Sequence, residues 1–168
     1  MLAYAQDYEK ELVKKMRGTW GKEKYWYYHC SSYMSPIEID ADTWNNTQFV
    51  SLNPSGCVIG YLEYGVKQPE RYVSHLAIIN FTDDCLFGID VIAMFKDIFL
   101  KYQYKKIVFS VIIGNPIEPK YDRLISRCGG RVVGVYKEDV MLPDGKLYDR
   151  KIYEIRREDY LIHRGKVK

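Results

Sequence analysis

The chain has 168 residues, a net charge of only +3 and 47% hydrophobic residues. This length and composition suit a single globular domain and exclude a wholly disordered chain. No apolar run is long enough to cross a bilayer, and the first residues lack the pattern of a signal peptide, so we expect a cytoplasmic protein with no membrane partner. The 25 basic and 22 acidic residues nearly balance, which argues against nucleic acid as a partner.

The cysteines and tyrosines carry little sign of special chemistry. The four cysteines are far apart in the sequence: Cys30, Cys57, Cys85 and Cys128. No pair has the spacing of a metal site and the three histidines do not complete one, so we expect no metal. We expect the cysteines to be reduced, small, buried apolar side chains. The 16 tyrosines are expected on half-buried strand faces.

The N-terminal region predicts helical structure. Apolar residues recur at helical spacing between Tyr8 and Met16, which favours a helix that ends near Gly18. The aromatic run from Lys24 to Cys30 is typical of a strand or a packed loop. The polar stretch that follows predicts a connection with a short helix near Ala41 to Asn45.

The middle of the chain predicts strands and then a helix. A strand over Gln48 to Leu52 and a second over Cys57 to Tyr64 form a hairpin around the turn Asn53-Pro54-Ser55-Gly56. The apolar stretch from Tyr72 to Phe81 indicates a third strand buried on both faces. A helix over Ile89 to Phe99 and a strand over Lys105 to Ile113 complete a βαβ unit, so two strands should be parallel.

The last third predicts one helix and a closing hairpin. Asn115-Pro116 ends the preceding strand, and Glu118 to Arg127 forms a helix stopped by Cys128-Gly129-Gly130. Strands over Arg131 to Lys137 and Lys151 to Arg156 flank the turn Leu142-Pro143-Asp144-Gly145. The tail from Arg164 to Lys168 is basic and expected to be solvated.

This order of elements resembles the GCN5-related N-acetyltransferase (GNAT) superfamily from about Gln48 to Tyr160. The segments that carry the resemblance are Gly56-Cys57-Val58-Ile59-Gly60-Tyr61, Asn115 with the helix ending at Gly129, Val132-Val133-Gly134, Asp144-Gly145-Lys146-Leu147-Tyr148-Asp149 and Tyr153-Glu154-Ile155. The resemblance implies an α/β (α+β) fold with a mixed central sheet of six or seven strands, a βαβ unit and flanking helices. It implies one domain over residues 1–168, divided into a helical N-terminal part (1–46), a sheet and cofactor-binding part (47–160) and a basic tail (161–168).

The loop that binds pyrophosphate in this superfamily is altered here. Its Gln/Arg-x-x-Gly-x-Gly/Ala pattern aligns with Asp83-Asp84-Cys85-Leu86-Phe87-Gly88, in which only Gly88 fits. Backbone N–H groups and the positive end of the following helix hold the diphosphate, whereas two carboxylates repel it unless they point away or cap the helix. The loop therefore either still binds coenzyme A or is an acidic helix-capping loop in a chain that has lost or weakened binding.

The resemblance implies acetyl-CoA as a co-substrate, with no metal, and the cofactor-binding positions follow from it. A backbone N–H near Ile78 or Ile79 would polarise the thioester, and Asn115 would contact the pantetheine arm. The full set of expected cofactor contacts is Ile78, Ile79, Asp83, Asp84, Cys85, Leu86, Phe87, Gly88, Asn115 and Tyr121.

Three side chains are candidates for the catalytic proton transfers. His75 carries an imidazole, the side chain that most often acts as a base in proteins, and Glu63 lies on the preceding strand, so either could act as the base. Tyr121, six residues after Asn115, could act as the acid, although Gly129 lies farther beyond it than the superfamily pattern has. Each has a structural alternative: His75 packed on a strand face, Glu63 solvated, and Tyr121 packing its helix on the sheet.

Three functional hypotheses follow from these features. The first is an acetyl-CoA-dependent N-acetyltransferase whose acceptor is a small-molecule or peptide amine that attacks the thioester directly. The second is a non-catalytic GNAT-like domain that binds a ligand or partner, and the third is an interaction module that uses exposed Tyr and Lys residues. The aromatic run Tyr25 to Tyr28 either walls the acceptor site or, as we expect, belongs to the core. A homodimer through sheet edges is compatible with this fold.

Overall fold

A computed structural model describes residues 1–30, 36–40 and 43–163. The strands are β1 (Leu2–Tyr4), β2 (Asn46–Leu52), β3 (Val58–Lys67), β4 (Tyr72–Asn80), β5 (Lys106–Ile112), β6 (Arg131–Met141) and β7 (Leu147–Arg156). The helices are α1 (Glu9–Arg17), α2 (Trp26–His29), α3 (Leu86–Lys96), α4 (Glu118–Arg127) and α5 (Arg157–His163). Short 3-10 turns precede α1 and α2, and a π-helical turn over Asp97–Lys101 extends α3.

The seven strands form one mixed sheet in the order β1-β2-β3-β4-β5-β7-β6. Neighbouring strands are antiparallel except β4 and β5, which are parallel and connected through α3. The predicted βαβ unit and α/β fold class are therefore confirmed. None of the described helices is both long and apolar enough to span a membrane.

Two apolar clusters cover opposite faces of the sheet, because successive strand side chains alternate between faces. On one face, Leu62 and Tyr64 pack with Phe95 of α3 and Ile125 of α4. On the other face, Tyr61 joins a cluster formed by side chains of α1, β2 and β4: Leu12, Met16, Val50 and Ile79. The helix α5 closes one end, where Tyr160 stacks on Phe99 with ring centroids 4.5 Å apart.

Several sequence predictions are confirmed at the level of single elements. The helix α4 has the predicted bounds, Glu118–Arg127, and the turn after it places Gly129 at a φ of 71°. The hairpin β2–β3 turns at Asn53, whose side chain accepts hydrogen bonds from the N–H groups of Ser55 and Cys57. The closing hairpin also turns where predicted, at Leu142 to Lys146.

Other predictions are wrong for reasons that the fold makes plain. The aromatic run from Lys24 to Cys30 is not a strand, because it forms a 3-10 turn and then α2, with Tyr25 buried in the α1 cluster. The strand β1 and the helix α5 were not predicted, since short elements at the termini depend on distant partners. Of the helix expected near Ala41 to Asn45, residues 41–42 lie outside the described residues and 43–45 form a turn. The tail from Arg164 to Lys168 also lies outside them.

Burial also corrects two expectations. The strand β4 is not buried on both faces: only Val73 and Ile79 are buried, and His75 is exposed. Of the four cysteines, which were expected to be buried, only Cys128 is buried, whereas Cys57 and Cys85 are exposed. The apolar sequence of β4 correctly indicates a central strand. It does not indicate that the neighbouring strand β5 separates from β4 after one paired position.

Gly60 provides a test of how α3 is seated on the sheet. A β-carbon at this position would lie 2.2 Å from the ring of Phe87 and 2.9 Å from the carbonyl oxygen of Ile79. We expect Gly60→Ala to lower the free energy of unfolding by about 1–3 kcal/mol, because a rigid backbone atom and a buried ring must both shift. Denaturant titration would measure this change.

Gly134 is the matched control, since it also lies in a strand but a β-carbon at this position would have no heavy atom within 4 Å. We expect Gly134→Ala to change the free energy of unfolding by no more than about 1 kcal/mol. Equal stability of the two variants would contradict the close contact between Phe87 and β3.

Candidate active site

The site begins where the two parallel strands separate. The strands β4 and β5 are paired at one position, Val73 with Ile107. Beyond it β4 remains paired with β3, and β5 remains paired with β7 over its whole length. A cavity of about 1670 Å³ lies against both strands and reaches the start of α3, the helix α4 and the N-terminal part.

The backbone of β4 presents N–H groups to this gap. The N–H of Phe81 donates to the carbonyl oxygen of Ile59 on β3 at 2.9 Å. Because antiparallel pairing uses every other residue, the N–H of Ile79 also points towards β3, and that of Ile78 points away from it. Of the two candidate positions, Ile78 is therefore the one whose N–H faces the side from which β5 has moved.

The altered loop is closed on itself by hydrogen bonds. The N–H of Leu86 donates to Asp84 Oδ1 at 2.9 Å, and the N–H of Phe87 donates to the carbonyl oxygen of Asp84 at 3.2 Å. The N–H of Gly88 donates to the carbonyl oxygen of Cys85 at 3.1 Å. The first three N–H groups of α3 thus have acceptors within the loop itself.

The two acidic residues of the loop behave differently. Asp84 caps the start of α3, while Asp83 turns away and pairs with Lys24, with 2.6 Å between Oδ2 and Nζ. Asp83 adopts a φ of 60°. This pairing raises the pKa of Lys24, chiefly through the hydrogen bond with Asp83. The structure therefore shows both arrangements expected from the sequence for these carboxylates: Asp83 points away from the loop, and Asp84 caps the helix.

The apolar residues of the loop leave the cavity open. Phe87 is 6% exposed, and its ring packs against β3 at Gly60. Leu86 is half-buried against the same apolar cluster, and both Cys85 and Gly88 are exposed along the cavity wall. The start of α3 accordingly forms an entrance to the cavity.

Tyr121 and Asn115 both line the cavity on the side of β5. The ring of Tyr121 meets Phe109 edge-on, with centroids 5.5 Å apart, and burial raises the pKa of its hydroxyl to about 12. The hydroxyl has no hydrogen bond to any described residue. Asn115 Oδ1 accepts the N–H of Ile117 at 3.1 Å, which organises the start of α4.

The two candidate bases lie on one face of the sheet. Glu63 is opposite Ala77 and His75 is opposite Gly65, so they are diagonal neighbours, which usually lie about 7–8 Å apart. Both line the cavity. His75 is exposed and makes no hydrogen bond with the described part of the chain.

A polar network that the sequence did not indicate fixes Glu63. Its Oε2 accepts the hydroxyl of Tyr61 at 2.6 Å, and its Oε1 accepts Asn46 Nδ2 at 2.8 Å. Gln48 Nε2 donates to Tyr61 at 2.9 Å. Tyr61 is completely buried, and its pKa is raised by burial and by the charge of Glu63. Only the paired register of β2 and β3 brings these side chains together, so sequence spacing could not reveal them.

Charged side chains of both signs line the cavity. The acidic ones are Glu23, Glu38, Asp40, Glu63, Asp83 and Asp84. The basic ones are Lys24, Arg150 and, on α4, Lys120, Arg123 and Arg127. The described residues contain no group of three or more His, Cys, Asp or Glu side chains placed to hold a metal ion.

Comparison with known proteins gives the fold of this chain. Mutant forms of the spermidine/spermine N-acetyltransferase of Vibrio cholerae match it with a TM-score of 0.72 and 18% identity, over 96% of each chain. The same enzyme in complex with manganese ions gives 0.71 and 18%, over 96% of this chain and 95% of the other. A chimera of the Vibrio cholerae spermidine N-acetyltransferase with hSSAT matches with a TM-score of 0.60 and 21% identity, over 71% of this chain and 73% of the other.

No protein-family model matches the sequence, and no curated protein matches it in a sequence search. At this low identity the structural matches establish the fold. The chain has the fold of the GNAT acetyltransferases, as the sequence resemblance predicts.

The closed loop generates a prediction about stability. We expect Asp84→Ala to lower the free energy of unfolding by about 1 kcal/mol, because the N–H of Leu86 loses its acceptor at the start of α3. Asp83→Asn is the matched control: it removes the same charge from an exposed ion pair and keeps a side chain that tolerates positive φ. We expect the control to cost no more than about 0.5 kcal/mol. Chemical denaturation would compare the two, and an equal loss would argue that Asp84 does not cap the helix.

Proposed function

We propose that this protein is an N-acetyltransferase that transfers the acetyl group of acetyl-CoA to an amine. The observation that carries the proposal is the gap between β4 and β5, which opens beyond one paired position in a sheet of GNAT fold. The gap borders a cavity of about 1670 Å³, large enough for both a cofactor and an acceptor. The structural similarity to spermidine N-acetyltransferases agrees with this activity.

The pantetheine arm would lie in the gap, where it can replace the strand pairing that β4 lacks. The N–H of Ile78 would donate to the thioester carbonyl oxygen, while the N–H of Ile79 is directed to β3. A fixed donor beside a developing negative charge is a large catalytic contribution in a site that excludes water. Asn115 lies at the end of β5 and would border the same arm.

In the reaction, the amine nitrogen bonds to the carbonyl carbon, the carbon–sulfur bond breaks, and the amine loses a proton. We assign proton acceptance to His75, because it is exposed and free to pass the proton to solvent. Tyr121 would donate a hydrogen bond to the departing sulfur. With a pKa raised to about 12 by burial, it is a weaker acid than a thiol of pKa about 8.5, so it stays protonated and stabilises a thiolate.

The acceptor would carry a positive charge. The side chain of Glu63 is fixed in position by hydrogen bonds from Tyr61 and Asn46, and Glu38 and Asp40 line the same cavity. These carboxylates would attract an ammonium group and place its neutral form near His75. Small-molecule amines and peptide amines both meet this requirement, and the similar structures belong to enzymes named for spermidine and spermine.

One observation favours the alternative, a non-catalytic GNAT-like domain. The N–H groups of Leu86, Phe87 and Gly88, which begin α3, already have acceptors in the loop. A domain that had lost coenzyme A would be expected to satisfy these groups internally. Cofactor binding therefore separates the two functions.

The first test is thermal unfolding with and without acetyl-CoA. At about a hundred times its dissociation constant, a ligand of the folded state stabilises it by about 2.7 kcal/mol, which raises the midpoint by several degrees. We expect this rise with acetyl-CoA and with desulfo-CoA, and none with ATP. An unchanged midpoint at millimolar acetyl-CoA would contradict the transferase and favour the non-catalytic domain.

The second test separates the roles of His75 and Glu63 by steady-state kinetics with an amine that the enzyme accepts. We expect His75→Gln to lower kcat about 100-fold, because proton acceptance is lost. We expect Glu63→Gln to raise the KM of the amine by about tenfold or more while the KM of acetyl-CoA stays the same, because the amide is uncharged.

A matched control for these variants is Asp144→Asn, which removes an exposed carboxylate in the β6–β7 turn that does not line the cavity. It should retain both kinetic constants. If Glu63→Gln lowered kcat and left the amine KM unchanged, Glu63 would be the base and the assignment to His75 would be wrong.

A further inference from the structure

We propose that the phosphate groups of acetyl-CoA are held by a cationic face of α4, formed by Lys120, Arg123 and Arg127. The N–H groups at the start of α3 do not hold them. This inference rests on the proposed function, since it concerns how the same cavity binds its cofactor.

The start of α3 is poorly suited to a diphosphate in this chain. The N–H of Leu86 is bonded to the carboxylate of Asp84, so an incoming phosphate would have to displace an anion that is already in place. Asp83 adds a second carboxylate nearby, and its partner Lys24 is engaged by it at 2.6 Å. Two negative charges beside this helix end would weaken a phosphate ligand there.

The helix α4 separates its charges between two sides. Glu118 and Asp122 are both turned to Lys151 of β7, and Asp122 also accepts the hydroxyl of Tyr153 at 2.6 Å. That hydrogen bond is the largest cause of the lowered pKa of Asp122. The two acidic residues of α4 are therefore bound to side chains of β7.

The bases of α4 occupy the other side. At 3.6 residues per turn, Lys120, Arg123 and Arg127 fall within an arc of about 60°, roughly opposite Glu118 and Asp122. All three line the cavity. Arg123 Nε donates to the carbonyl oxygen of Pro119 at 3.2 Å, and none of the three forms a salt bridge with a residue that the structure describes.

This freedom distinguishes the α4 bases from those of the neighbouring strands. Lys106 and Arg131 both pair with Glu154, and Arg150 pairs with Asp139. These three cations are thus paired with carboxylates within the fold, whereas those of α4 are available to a ligand. Two guanidinium groups and one ammonium group suit phosphate oxygens, because a guanidinium can bind two of them at once.

The position of α4 also suits the shape of the cofactor. Tyr121 and Leu124 of the same helix line the cavity together with the bases. The helix therefore presents a mixed surface, with the Tyr121 ring towards the gap and the cations along the wall. An acyl-pantetheine arm in the gap can pass Tyr121 while the phosphates that follow it reach the cationic face.

Calorimetric titration of the full chain with two probes tests the inference without relying on activity. Acetyl-CoA carries the phosphates, and S-acetylpantetheine carries the same thioester without them. We expect the double variant Arg123→Gln/Arg127→Gln to bind acetyl-CoA about tenfold to 100-fold more weakly than the natural sequence, and S-acetylpantetheine equally well. Raising the salt concentration should weaken acetyl-CoA binding more for the natural sequence than for the variant.

The matched control is Lys10→Gln/Lys14→Gln, which removes the same charge from exposed positions of α1 that do not line the cavity. We expect its affinity for acetyl-CoA to be unchanged. The midpoint of unfolding without ligand should be the same for both double variants within a few degrees, because all four residues are on the surface.

The results that would overturn the inference differ from those that would overturn the proposed function. Undiminished acetyl-CoA binding by Arg123→Gln/Arg127→Gln would contradict the cationic face and leave the transferase intact. A more than tenfold gain of affinity on Asp84→Ala would place the phosphates at α3 instead. Failure of the natural sequence to bind either probe would contradict the proposed function itself.

Discussion

The early separation of β4 from β5 is the constraint on which the site depends. Each strand keeps a full antiparallel partner on its other side, so the sheet stays intact while one pair of parallel neighbours comes apart after Val73 and Ile107. The separation leaves N–H groups of β4, including that of Ile78, without a strand partner at the wall of the cavity, where they can donate to another molecule. A ligand that supplies acceptors along this edge would replace what β5 does not provide.

The same sheet places opposite charges around the gap. On the side of β2 and β3, the hydrogen bonds from Tyr61 and Asn46 fix the carboxylate of Glu63 at the cavity wall. On the side of β5 and β7, Lys151 draws Glu118 and Asp122 towards the sheet, which leaves the bases of α4 facing the cavity. These internal ion pairs and hydrogen bonds thus leave both acidic and basic side chains along the wall of one cavity.

The sequence predicted best those features that depend on local signals. Asn115-Pro116 and Gly129 bracket α4, and its bounds follow to the residue. The run from Lys24 to Cys30 was mispredicted because aromatic residues favour strands only where a sheet surface receives them, and here Tyr25 packs under α1. The burial of β4 was overestimated, since an apolar sequence cannot reveal that its parallel neighbour diverges. The network around Glu63 required the register of β2 against β3, which no sequence spacing encodes.

The loop from Asp83 to Gly88 departs from the superfamily pattern, and its own hydrogen bonds explain why it lacks the first glycine. Glycines allow a loop to bring its N–H groups close to a phosphate, but a loop whose N–H groups are met by Asp84 and by its own carbonyl oxygens has no such requirement at Leu86. These hydrogen bonds are internal to the loop, so they do not depend on a ligand. If the phosphate charge is met by long side chains of α4, the loop keeps the role of shaping the entrance beside Gly88. Whether a chain of this fold binds phosphate groups then depends on which residues meet their charge, the loop or α4. It does not depend on the glycine pattern alone.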